Sequence, residues 1–144
     1  MHKLRNVPAF VKELDFVVCD GNKIIGNVVY SRVNIINSKG EEFEVLCMGP
    51  FCVLPKYQKR GIGKLLLKYS LEKAKTLDYK GVIIFGNPDY YKHFGFKNAK
   101  EYKIATIEGE NLEPFMSLEL EKGSLSGIVG KFYMIQYSKL KRTK

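Results

Sequence analysis

The run Gln58-Lys59-Arg60-Gly61-Ile62-Gly63-Lys64 sets three cations around two glycines one residue apart. Glycine carries no Cβ, so a ligand can approach the backbone closely, and the flanking Lys and Arg side chains favour an anion there. The neighbouring elements aim the same chemistry. Upstream, an apolar stretch ending at Pro55 reads as strand. Downstream, from Gly61 to Leu77, Lys64, Lys68, Glu72 and Lys75 recur on one side while Leu66, Leu67, Ser70, Ala74 and Leu77 line the other, which predicts an amphipathic helix of about four turns. A strand that feeds a helix here points the helix's unpaired N–H groups and the positive end of its dipole at one place. A pyrophosphate suits that place better than a carboxylate. The blander reading is a glycine turn with a solvated basic face.

Two common phosphate loops fail on spacing. A G-x-G-x-x-G fingerprint needs glycine where Leu66 stands, and a Walker loop aligned on Gly63 and Lys64 needs glycine at Gln58 and a hydroxyl at Leu65. A second constellation lies further on, "FGNPDYYKHFGF", residues 85–96, in which Asn87 before Pro88 is the order of an N-cap and first helical residue, so a brief helix should end at Gly95. It carries Tyr90, Tyr91 and His93.

The elements that position these groups follow from pattern. Residues 3–13 read as a short helix interrupted by Pro8. "DFVVCD", the turn "DGN" and "KIIGNVVYSRV" form a hairpin, and "NSKGE" turns into the long segment "FEVLCMGPFCVLP". Gly49 and Pro50 fall inside that segment, where Pro cannot donate to a ladder, so the strand should bulge or bend there. "KGVIIFG" reads as a buried strand, and "EYKIATI", "PFMSLEL" and "GKFYMIQYS" supply final strands. This order implies an α/β (α+β) domain with a mixed, mostly antiparallel twisted sheet, a bent central strand and flanking helices.

At 144 residues the chain fits one domain, 1–144, with a loose basic tail at about 140–144. No apolar run approaches the roughly 20 residues that cross a bilayer, and the N-terminus lacks the core of a secretion signal, so a cytoplasmic protein without membrane partners is expected. Cys19, Cys47 and Cys52 lack C-x-x-C spacing and are expected to be buried, reduced thiols. The net charge of +9 admits a nucleic acid, an acidic membrane surface or a polyanionic small ligand. Between Glu44 and Glu72 no acidic residue occurs, while Lys56, Lys59, Arg60, Lys64 and Lys68 crowd together, with few of the interleaved aromatics a nucleic-acid surface would use for stacking. No nucleic-acid partner is expected.

"VLPKYQKRGIGKLLL" resembles the acyl-CoA loop of the GNAT N-acetyltransferase superfamily, [QR]-x-x-G-x-[GA] after a strand, with Gln58, Gly61 and Gly63 in its fixed positions. "FGNPDYYKHFGF" resembles that family's later segment, and the likeness spans roughly residues 16–120, closest to small bacterial single-domain members. The resemblance implies a GNAT-type sheet and an acetyl-CoA-dependent N-acetyltransferase that passes an acetyl group to a primary amine by direct attack, with acetyl-CoA as co-substrate and no metal. It implies that the backbone of Phe51 and Val53 binds the pantetheine arm, that Lys59, Arg60, Gly61, Ile62, Gly63 and Lys64 hold the pyrophosphate, and that Asn87 reaches the arm from the other side. Tyr91, four residues before Gly95, matches the family's general acid; Tyr90 points about 100° away on a helix, so only one of the two can face the cleft. Glu44 is the leading base for the attacking amine, with Asp89 and a relayed water behind it. His93 is expected at the surface and Cys52 in the core. The family's first strand and helix have no counterpart in the short N-terminus, so a longer chain or a second copy, as in a homodimer, would wall the acceptor site. The acceptor is a small-molecule or protein amine. The alternatives are a GNAT-like protein that binds coenzyme A without catalysis and a basic nucleic-acid-binding module.

Overall fold

The structure is a computed structural model and describes residues 10–106 and 112–134. Eight strands and two α-helices occur among them: β1 Phe10–Asp20, β2 Lys23–Ile36, β3 Glu42–Val53, α1 Ile62–Thr76, β4 Gly81–Phe85, α2 Pro88–Tyr91, β5 Lys97–Asn98, β6 Ile104–Ala105, β7 Phe115–Glu119 and β8 Gly130–Met134. The sheet runs β5-β7-β4-β3-β2-β8-β6, and β1 pairs with the other half of the β2 edge that β8 occupies. Only β3–β4 and β6–β8 are parallel. This is the α+β, mostly antiparallel architecture expected of a GNAT fold.

The helix from Gly61 to Leu77 is present as α1, with Leu66, Leu67, Ser70 and Ala74 buried. Leu77, at its C-cap, is exposed. Ser70 is tolerated in the core because its hydroxyl donates to Leu67 O at 3.1 Å and shares a 2.7 Å hydrogen bond with the Tyr30 hydroxyl. α1 covers one face of the sheet, where Val28, Tyr30, Leu46, Met48, Val82 and Ile84 form the core. Alternate residues of the same strands, Val33, Ile35, Val45 and Ile83, build a second core with Phe115 on the other face.

That second face is concave. A flat sheet of this order would hold β5 and β6 about 29 Å apart at 4.8 Å per strand, yet only residues 99–103 separate them, a link that reaches roughly 20 Å fully extended. The sheet therefore curls, and ring contact between Phe132 of β8 and Phe115 of β7, centroids 6.0 Å apart, closes the curl.

The bend in β3 lies where Gly49 and Pro50 interrupt the pattern. Val28 pairs with Phe51 and Tyr30 with Met48, so Gly49 and Pro50 together oppose Val29 in a bulge. Gly49 takes φ +149° and the Gly49–Pro50 peptide is cis. Two expectations are corrected. Residues 10–13 are strand, not helix: Phe10 pairs with Ser31 of β2 ahead of a register shift that ends at Asp15, and Val11 is buried; residues 3–9 lie outside the described residues, as do 107–111, the run 135–138 of the last predicted strand and the tail at 140–144. The thiols are not all buried. Cys19 and Cys52 are exposed because Phe16, Val18 and Phe51 take the α1 side and strand alternation turns their neighbours to the open side. Cys47 is half-buried, and burial pushes its thiol up to about 11.

Candidate functional site

β3 ends at Val53, a single 3-10 turn spans Pro55–Tyr57, and α1 starts at Ile62. In the loop between, Lys59 has φ +66° and Gly61 φ +82°, two left-handed residues around Arg60 that fold the chain back onto the helix end. The first helical hydrogen bond runs from Leu65 N–H to Gly61 O, and Gly61 brings no capping side chain. The N–H groups of Ile62, Gly63 and Lys64 thus have no helical carbonyl to meet.

The loop is tied down on both sides. Gln58 Nε2 donates to Val53 O at 2.9 Å, so Gln58 holds the loop to β3. The Tyr57 hydroxyl donates to Asp20 Oδ2 at 2.8 Å, which raises the Tyr57 pKa, and the Arg60 guanidinium stands over the Tyr57 ring at 5.5 Å. Neither Tyr57 nor Asp20 stood out in the sequence. Only the proximity of the hairpin turn to the loop reveals the pair.

A cleft of about 390 Å³ opens beside this loop, lined by Phe51, Cys52, Val53, Gln58, Lys59, Gly61, Gly63, Lys64 and Tyr90. A Cβ on Gly63 would stand 3.4 Å from Phe51 Cζ, 3.4 Å from the Tyr90 hydroxyl and 3.5 Å from Val53 Cγ2, so glycine keeps the cleft open. The cleft continues into a gap in the sheet. β3 and β4 pair only at Leu46–Val82 and Cys47–Ile83, although β4 runs on to Phe85 and β3 to Val53. Leu54 N–H donates to Ile25 O on β2. Because backbone groups alternate sides along a strand, Val53 and Phe51 turn theirs away from β2, into the gap. An extended ligand arm could pair with them as an added strand.

The structure brings Phe51, Val53, Gln58, Lys59, Gly61, Gly63 and Lys64 together at the cleft. Ile62 adds its N–H while its side chain packs 3.7 Å from the Cβ position of Gly26, and Arg60 stays on Tyr57. Asn87 caps α2, its Oδ1 accepting from Asp89 N–H at 2.9 Å. Glu44 is not at the cleft. It sits among Glu42, Leu77, Asp78 and Tyr79 at the C-terminal end of α1, and the seven residues to Phe51 amount to roughly 23 Å of strand. His93 lines a separate groove with Lys68, Glu72 and Glu119.

The two tyrosines divide as helix geometry requires. Tyr90, and not the Tyr91 expected to face it, lines the cleft, and its ring lies 5.0 Å from Tyr91 and 5.4 Å from Phe94. Tyr91 goes deeper, half-buried, its ring 5.7 Å from Phe96 and pressed over Gly86, the residue that follows β4 where the gap opens. A Cβ on Gly86 would meet Tyr91 Cε2 at 2.4 Å. Burial first, and Tyr90 second, raise the Tyr91 pKa. Nothing in the residue pattern marks Gly86; only the approach of the Tyr91 ring gives it a role.

A family model described as an acetyltransferase (GNAT) domain matches residues 12–98. The uncharacterized N-acetyltransferase YhbS of Escherichia coli strain K12 is 27% identical over 111 residues, 77% of this chain and 65% of that protein. The crystal structure of Escherichia coli YhbS in complex with CoA superposes with a TM-score of 0.82 at 24% identity, covering 96% of this chain and 74% of that one. A GNAT family acetyltransferase from Brucella melitensis in complex with acetyl-CoA gives a TM-score of 0.65 at 26% identity, over 83% of this chain and 65% of that one. The chain thus spans just under two thirds of the length of the curated relative it matches.

Proposed function

Because the chain belongs to the GNAT acetyltransferase family, we propose that it transfers an acetyl group from acetyl-CoA to a primary amine by direct attack. One observation carries the reading: a basic cleft at the bare N-terminus of α1 adjoins the β3–β4 gap, where the side of Phe51 and Val53 turned away from β2 meets no strand among the described residues and only the Val53 carbonyl is taken, by Gln58. That shape suits a substrate with a pyrophosphate at one end and an extended amide-bearing arm at the other. The N–H groups of Ile62, Gly63 and Lys64, with the cations of Lys59 and Lys64, take the pyrophosphate. Phe51 and Val53 pair with the arm, and Asn87 and Tyr90 approach it from the α2 side.

In the reaction the amine nitrogen bonds to the thioester carbonyl carbon, and backbone N–H at the bulge steadies the oxygen as it gains charge. The C–S bond then breaks, and Tyr91 gives its proton to the departing sulfur. Tyr91 is protonated at neutral pH, as an ordinary tyrosine is, and its burial raises its pKa further. Glu44 stands about five residues, roughly 16 Å of strand, from the bulge, too far to take the amine's surplus proton directly, so that proton passes to water and water returns one to the Tyr91 phenolate.

The test is incubation with acetyl-CoA and a panel of primary amines, with acetylated product read by mass. Product formation that falls sharply in Tyr91→Phe, at unchanged coenzyme affinity, supports the reading. Saturable coenzyme binding with no product from any amine would favour a coenzyme-binding protein without catalysis.

A further inference from the structure

We infer that Phe85, Phe115 and Phe132 form the seat for the acceptor, and that the acceptor is a primary amine carried on an aryl or similarly flat apolar group. The inference rests on the acetyl-transfer reading above for its chemistry and its direction of approach, while the aromatic cluster itself lies outside the coenzyme cleft.

Phe85 is the last residue of β4 and lies two positions beyond the final β3–β4 pair, so it stands at the gap. Strand alternation fixes its side. Ile84 belongs to the core beneath α1, whereas Ile83 belongs to the core of the concave face, and Phe85 shares the side of Ile83. The coenzyme cleft opens on the α1 side, where Phe51 and Val53 meet Gly63. Phe85 therefore marks the opposite mouth of the same gap.

Phe85 is 51% exposed, yet its ring is held in place. Its ring stacks on Phe115 with centroids 4.8 Å apart and planes 27° from parallel, and the edge of Phe132 approaches at 6.2 Å. Phe115 is itself fully buried. Three strands, β4, β7 and β8, thus brace one aromatic surface whose outer part faces solvent.

Direct attack sets the direction of approach. With the coenzyme arm along the α1 side of the gap, the nucleophile must come from the other side, across Phe85. Ring faces attract an ammonium through their quadrupole and stack on flat apolar groups. The chain's net charge of +9 repels a polycation at long range, which disfavours polyamines and favours a single amine on an apolar body.

The experiment titrates 2-phenylethylamine and ethanolamine, by ligand-observed NMR, into the full chain with and without saturating coenzyme A, and titrates coenzyme A separately. Wild type should bind 2-phenylethylamine at least about tenfold more tightly than ethanolamine. Phe85→Ala should erase that preference without changing coenzyme A affinity, and Phe85→Tyr, which keeps the ring, should retain it. Equal affinity for the two amines in wild type, or a preference that survives Phe85→Ala, overturns the seat. Coenzyme A binding without amine preference sinks the seat and leaves the transfer reading standing. Amine preference without coenzyme A binding does the reverse.

Discussion

Gly86→Ala separates a catalytic Tyr91 from a merely structural one. The new Cβ would lie 2.4 Å from Tyr91 Cε2 and 2.9 Å from Cδ2, while carbon atoms rest at about 3.5–4.0 Å, so the ring must retreat by about 1 Å or more. Gly86 is outside the left-handed region, and its N–H bond to Pro114 O at 2.9 Å survives the substitution. The cost to folding is therefore that of mild overpacking, about 1–3 kcal/mol, which a domain with roughly 5–15 kcal/mol in hand can absorb. A 1 Å displacement of a proton donor can cost about 100-fold in rate, or about 2.7 kcal/mol of barrier. Steady-state kinetics with an accepted amine should show kcat down by about that factor with coenzyme affinity unchanged. In the Tyr91→Phe background the same substitution should add little, since its effect passes through the hydroxyl already removed. Wild-type kcat in Gly86→Ala, or full additivity in the double variant, would show that Tyr91 is not the proton donor.

Gly61→Ala forces a side chain into φ +82° and should lower stability by about 1–2 kcal/mol, read as a shift in urea midpoint at constant slope. Arg60→Glu should weaken coenzyme A binding and flatten its salt dependence, measured by titration at two ionic strengths. Burial raises the Tyr30 pKa well above its ordinary value, so its contribution to stability is complete below about pH 10 and is lost as pH rises from there toward the folded value. Tyr30→Phe should therefore lose about 1 kcal/mol at neutral pH, from the Ser70 hydrogen bond, yet decline less steeply in melts taken above pH 10. Native protein should titrate Cys19 and Cys52 rapidly with a disulfide reagent and Cys47 only on unfolding.

Local chemistry made much of the fold readable in advance. The recurrence of Lys64, Lys68, Glu72 and Lys75 opposite an apolar side determines α1, the Asn87–Pro88 pair starts α2, and Gly49–Pro50 bends β3 because a residue without N–H cannot continue a ladder. What was not readable depends on register and long-range approach. Glu44 lies on the expected strand, and only the strand's length and the helix alongside separate it from the cleft. Cys52 reads as apolar core by residue type but takes the opposite parity to Phe51 and Val53. Helix periodicity showed that Tyr90 and Tyr91 must diverge, without saying which one turns to the loop. The meeting of Phe85, Phe115 and Phe132 required the sheet to curl, a consequence of β5 and β6 standing at opposite edges and only a few residues apart in the chain.

The central claim, that the α1 N-terminus and the β3–β4 gap together hold acetyl-CoA, is tested most directly by calorimetric titration of acetyl-CoA into the wild-type chain and Gly63→Val. Saturable 1:1 binding in wild type, lost when the valine side chain fills the space between Phe51, Val53 and Tyr90, is the predicted result. Absence of saturable binding in wild type, or undiminished affinity in Gly63→Val, would contradict the account.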